Sequence, residues 1–172
     1  GMSERLLGAI VASHGDDRGL VMPPSVAPVQ VVVIPIISKG DSSDVISESE
    51  RITSELKAAG IRVRLDSRDI RPGQKYYDWE IKGVPLRMEI GPRDLANNSV
   101  MCVRRTGGKQ SHSMDNLVDT VRSELDIVGE EMKQQSSDHF NSRIKTLPAF
   151  MVDGTDLIFD QAIEKGMVYE MA

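Results

Sequence analysis

The stretch from Val29 to Ile37, VQVVVIPII, constrains this chain more than any other. A nearly continuous apolar, β-branched run is the signature of a strand buried on both faces, as opposed to the alternating pattern of a half-exposed one. The next residues agree with a buried strand in an α/β sheet. Lys39 to Asp44 is a polar turn, after which Val45, Ile52, Leu56 and Ala59 form one stripe of an amphipathic helix that Gly60 stops. Ile61 to Leu65 is the next strand, so a right-handed parallel crossover is expected. Pro72 and Gly73 open a second helix and Gly83 closes it. Val84 to Ile90 alternates as a strand, and Gly91-Pro92 turns it. Ser99 to Arg105 makes a fourth strand, ending at Thr106-Gly107-Gly108. Leu117, Val121, Leu125, Val128 and Met132 then mark a long helix through about Gln135. The pattern predicts a three-layer α/β domain over residues 28–135, with a mixed and mostly parallel sheet.

Two flanks surround this domain. Residues 1–27 hold a helix from Ser3 to His14, a polar loop and the extended Pro23-Pro24 link. Residues 136–172 read as a short α+β extension: a small strand from Val152, a helix from Asp156 to Lys165, and a final strand. At 172 residues, one well-cored domain with an appendage is the expected organisation. The longest apolar run, Val31 to Ile37, falls far below the roughly 20 residues a membrane helix requires. Cys102 is the single cysteine, which excludes an internal disulfide and a multi-cysteine zinc site. With no secretory signal visible, a reducing, cytoplasmic setting is expected. His14 beside Asp16 and Asp17 lacks further ligands for a metal site. Gly107-Gly108-Lys109 lacks Walker spacing, so it reads as a hairpin or loop turn.

Charge is uneven. Residues 60–110 carry 11 Lys+Arg against 6 Asp+Glu, whereas residues 1–59 carry 5 against 8 and residues 111–172 carry 5 against 12. A polyanion would therefore meet the molecule around the basic middle third. Within it, Asp69 to Leu95 interleaves Arg71, Lys75, Lys82, Arg87 and Arg93 with Asp69, Asp78, Glu80, Glu89 and Asp94. The same stretch holds Tyr76, Tyr77 and the single tryptophan, Trp79. Mixed charge with aromatics on a helix-strand corner suits a polar, planar ligand such as an exposed nucleobase. A salt-bridged surface helix with a structural Trp has the same composition. The basic cluster falls in the loops after Leu65 and Ile90, at strand carboxyl ends where α/β sheets usually bind ligands. No G-x-S-x-G, paired-histidine spacing or dinucleotide fingerprint is present, so the residues alone indicate a binding module rather than a catalyst.

The wording RPGQKYYDWEIKGVPLRMEIGPRDL at residues 71–95, with SERLLGAIVASHGDDRGLVMPPSVAPVQVVVIPI before it, resembles prolyl-tRNA synthetases of the archaeal and eukaryotic-like type. The resemblance covers about residues 3–135 strongly and DLIFDQAIEKGMVYEMA more weakly. It implies the anticodon-binding domain of a class II aminoacyl-tRNA synthetase, preceded by the tail of the catalytic core. Arg5 would then be the motif 3 arginine that holds ATP phosphates in a whole enzyme. The other catalytic signatures and the cysteines of a C-terminal zinc module are missing, so a catalytically inactive carboxyl portion of an ATP- and Mg-dependent, homodimeric ligase is expected. The portion alone would be a monomer or weak dimer without cofactors.

The implied partner is the anticodon loop of a proline tRNA, identified by two guanines. Reading guanine takes a cation for O6, acceptors for N1–H and N2–H, and planar surfaces for stacking. Asp69, Arg71, Lys75, Tyr76, Glu80, Lys82 and Arg93 are the expected tRNA-binding residues. Among them Arg71, Lys75 and Arg93 face bases or phosphates, while Glu80 and Asp69 accept from guanine. Trp79 is assigned to the core, and Arg87 with Glu89 to a structural pair. The alternatives are a stand-alone RNA- or protein-interaction module derived from that domain, and a small flavodoxin-like enzyme.

Overall fold

The computed structural model describes residues 4–37 and 43–143. The chain divides into two compact units, Gly1–Ser136 and Ser137–Ala172. Of the second, the described residues 137–143 belong to a helix; the strands and helix expected between 152 and 172 lie outside the described residues.

Helix α1 (Glu4–His14) precedes a strap that leads to the sheet. The sheet holds β1 (Val31–Pro35), β2 (Val63–Leu65), β3 (Leu86–Ile90), β4 (Ser99–Arg104) and β5 (Lys109–Ser113), in the order β2-β1-β3-β4-β5. Both β2 and β3 pair parallel with β1, while β4 is antiparallel to β3 and β5 antiparallel to β4. Strand β5 therefore points the same way as β3, and only β4 runs against the rest. Helices α2 (Ser43–Ala58) and α3 (Pro72–Ile81) make the crossovers to either side of β1, so right-handedness puts them on opposite faces. A short α4 (Pro92–Ala96) comes after β3, and α5 (Leu117–Arg143) closes the fold.

The packing confirms three layers. Alternate residues Val31 and Val33 of β1 face Val45, Ile52 and Leu56 of α2, in one cluster with Leu86, Met88, Cys102 and the Leu117, Val121 and Leu125 stripe of α5. Their neighbours Val32 and Ile34 point the other way, against Tyr76 and Trp79 of α3. Every residue of β1 is buried, as its unbroken apolar run requires. On α2, Ser49 and Thr53 share the buried face; each hydroxyl donates to the carbonyl four residues earlier, so neither is left unsatisfied.

Two features differ from the sequence expectation. The sheet has five strands, not four, because KQSHS pairs along β4 as an edge strand. Its polar residues show no apolar period; the reversal at Gly107-Gly108 and the unpaired edge of β4 form it instead. Gly91-Pro92 begins α4, whose N-terminus is held by the Asp94 carboxylate accepting from the Gly91 amide at 2.9 Å.

Gly60 ends α2 with φ at +83°, and a Cβ there would meet nothing within 4 Å. Gly60→Ala is therefore expected to destabilise by about 1 kcal/mol through the left-handed backbone alone. A lower urea midpoint with unchanged slope would show it.

Candidate nucleic-acid interface

Helix α3 covers β1, but the sheet extends past it. Arg87 and Glu89 of β3 lie beside Met101 and Val103 of β4, and these beside Lys109 and Ser111 of β5. By strand alternation all six project from the α3 side, away from α2 and α5. Lys109 and Ser111 are exposed, Met101 and Val103 half-buried, and Glu89 is only 8% exposed, so these residues form a shelf beside α3 that opens towards β5.

Its charged groups hold each other in place. The Arg87 guanidinium stacks 4.0 Å from the Tyr76 ring centroid. Its Nε donates to Glu89 Oε1 at 3.0 Å, and one terminal nitrogen reaches Glu80 Oε1 at a loose 3.5 Å. Lys109 Nζ meets the other Glu89 oxygen at 3.2 Å, yet its side chain is 56% exposed. Burial and the neighbouring Glu89 carboxylate raise the Tyr76 pKa, which keeps its hydroxyl protonated and able to donate. Two cations and two carboxylates balance, so the shelf offers directional donors and acceptors beside an aromatic ring rather than net charge.

A separate cleft of about 240 Å³ opens at the carboxyl ends of β1 and β2, between Pro35, Ile37, Arg68, Asp69, Ile70, Pro72 and Lys75. Asp66 organises its wall from within. The Asp66 carboxylate, almost wholly buried, accepts from Arg68 at 2.7 and 2.9 Å and from Trp79 Nε1 at 2.7 Å. Its backbone carbonyl accepts from Lys75 Nζ at 3.0 Å. The Arg68 hydrogen bonds hold the Asp66 pKa down at about 2, against the upward push of burial and with further help from Trp79.

The expected site residues thus separate into groups. Asp69 and Arg71 are exposed at the start of α3, where Arg71 makes no side-chain bond to another described residue. Lys75, expected on bases or phosphates, is only 2% exposed and spends its ammonium on Asp66; burial lowers its pKa. Tyr76 and Glu80 border the shelf. Lys82 lies beyond the far end of α3, 4.5 Å over the Trp79 ring. The ten residues of α3 separate its ends by about 15 Å, so Arg71 and Lys82 do not share a patch. Arg93 is exposed on α4, about 200° around the helix from Leu95, which packs in the core. Arg5 is exposed on α1.

Trp79 does belong to the core, and Arg87 does pair with Glu89, as expected. The shelf's Arg87, Glu89 and Lys109 were missing from the expected binding residues. The signal for two of them lies in LRMEI: a strand next to the fully buried β1 that places charge at alternate positions declares one face lined by polar rather than apolar side chains. Lys109 needed the fifth strand.

Residues 30–124 match the family described as the anticodon binding domain. Over 146 residues the chain is 52% identical to the proline--tRNA ligase of Thermococcus kodakarensis, covering 84% of this chain and 30% of that protein. It is 50% identical over 147 residues to that of Methanocorpusculum labreanum, covering 86% and 31%. With the Pyrococcus horikoshii proline--tRNA ligase the identity is 49%, covering 84% and 30%. The chain thus spans about 30% of the length of the relatives it matches.

Proposed function

This chain belongs to the anticodon-binding-domain family, and on that premise we propose that it is the anticodon-reading part of a proline--tRNA ligase, with the open shelf as its base-reading surface. The observation that carries this reading is the convergence of Tyr76, Glu80, Arg87, Glu89 and Lys109 on one face of the half-sheet beside α3, inside the matched residues.

Guanine demands a donor for O6 and acceptors for N1–H and N2–H. Arg87 has a second donor only loosely engaged, and the carboxylate it would release, Glu80, is an acceptor of the kind guanine's donors need. Glu89 holds Arg87 and Lys109 on station, and the Arg87–Tyr76 stack offers a planar edge for an unstacked base. An adenine or uracil in the same place would leave a carboxylate unpaired, at about 1–3 kcal/mol per contact. Arg71 and Arg93, outside the shelf and free of side-chain partners among the described residues, are assigned to phosphates. For the longer protein we propose ATP-dependent ligation of proline. Arg5 then binds ATP phosphates. Among the described residues no cluster of three or more His, Cys, Asp or Glu side chains could hold a metal, and no step is assigned to Mg.

The test is binding of a proline tRNA anticodon stem-loop beside a copy with both anticodon guanines replaced, across a salt series. Preference for the guanine-bearing loop at every salt concentration is expected. Equal affinity for both would reduce the surface to general electrostatics and sink the assignment. Arg71→Ala should weaken both loops alike and lower the salt slope by about 1, the signature of a phosphate contact rather than base reading.

A further inference from the structure

The strap between α1 and β1 is fastened to the carboxyl end of α3 and to Arg105, the residue that follows β4. Asp16 accepts from both terminal nitrogens of Arg105, at 2.5 and 2.8 Å, across 89 residues of sequence. Arg105 is 2% exposed although its partner is 39% exposed, so this arginine is buried to hold an acid on a surface loop. Its backbone amide bonds to the Pro85 carbonyl at 2.9 Å, and its Nε lies 3.4 Å from the carbonyl of Glu80. Hydrogen bonding to Arg105 lowers the Asp16 pKa, which keeps this carboxylate charged.

Two further ties lie within six residues. The Leu20 amide bonds to the Ile81 carbonyl and the Met22 amide to the Gly83 carbonyl, both at 3.2 Å. The backbones approach so closely that a Cβ at Gly19 would sit 2.6 Å from Ile81 Cα, and one at Gly83 would sit 2.7 Å from the Leu20 oxygen. On the other side of Asp16 there is no slack: the Gly15 amide bonds to the Val11 carbonyl of α1 at 2.8 Å. Every α1 residue whose side chain is described is exposed or half-buried, Val11 being 50% exposed.

We propose that Asp16 and Arg105 are a positioning pair that sets the direction of α1 relative to the base-reading shelf, so that the two turn as one body. Arg105 sits at the root of that shelf, touching the Glu80 end of α3, and so joins what enters through α1 to the element that carries the base readers. The purpose assigned to the shelf rests on the function proposed above; the mechanical coupling does not.

Spin labels at Ser13→Cys on α1 and Ser123→Cys on α5 test it, both positions being exposed; Cys102 is buried, with its thiol pKa pushed up to about 12, and does not label. The parent chain should give one narrow distance distribution. Asp16→Asn should broaden it and remove hydrogen-exchange protection at the Leu20 and Met22 amides, while sheet amides such as Val33 stay protected. Asp16→Glu, which keeps the carboxylate, should restore part of the narrowness. An Asp16→Asn distribution as narrow as the parent's, with protection at Leu20 and Met22 intact, overturns the proposal. Sheet protection lost together with the strap's overturns it too, since the pair would then be part of the core's stability rather than a local fastening. Stem-loop binding is measured on the same proteins. A parent chain that ignores the guanines but shows the distance response defeats the functional reading and leaves the positioning pair standing.

Discussion

Arg87→Ala is expected to reduce the preference for the guanine-bearing stem-loop by about 2 kcal/mol, roughly thirtyfold, while the protein stays folded. The magnitude comes from geometry. Arg87 is the only shelf cation already oriented by stacking, on Tyr76, and by a carboxylate, Glu89, at 3.0 Å. A pre-oriented guanidinium loses little side-chain entropy when it engages a base, so its removal costs most of one good base contact. Arg87→Lys should not rescue the loss, because an ammonium has neither the planar fork nor the stack. Glu89 keeps Lys109 as a partner in both variants, so the urea midpoint should change little. Competition binding with the two loops measures the effect. An Arg87→Ala protein that still prefers guanine as strongly as its parent would move base reading away from the shelf.

The second large effect is on stability. Asp66→Ala should destabilise the fold by about 3 kcal/mol, because it strands the indole N–H of Trp79 and removes the anchor for Arg68. The Arg68 share is discounted, since that side chain is 47% exposed and water replaces much of what it loses. Acid tests the same residue. The folded-state pKa of Asp66 is depressed from 3.8 to about 2, so its contribution is present in full above the unfolded value and is lost as pH falls from about 4 towards 2. That depression corresponds to about 2 kcal/mol. Urea midpoints recorded down to pH 2 should fall more steeply for the parent than for Asp66→Asn, which lacks this titration. Parallel curves would show that Asp66 is not ionised in the folded state as its partners require.

Asp66 and Lys75 show why the site was harder to read than the fold. Nothing in the local sequence distinguishes Lys75 from Lys82, yet one is buried on a carbonyl and the other lies across an indole face. Glu124 stands in the α5 stripe beside Leu125 and is buried because Arg104 of β4 and His112 of β5 both reach it at 3.0 Å. A charged residue buried by a distant partner leaves no trace in its own neighbourhood.

The amino-acid sequence by itself determined the layers. The unbroken run at β1, the alternation at β3 and the heptad-like stripe of α5 are local periodicities, and each states how many faces of an element are covered. Only the tertiary structure decided which charges meet. It divided the residues of α3 between the two ends of a helix about 15 Å long, added β5 as an edge that polar residues could supply, and brought Lys109 to Glu89 and Asp16 to Arg105. The physical reason is range: periodicity reports on the few residues around it, whereas a salt bridge across 89 positions exists only once the chain has folded.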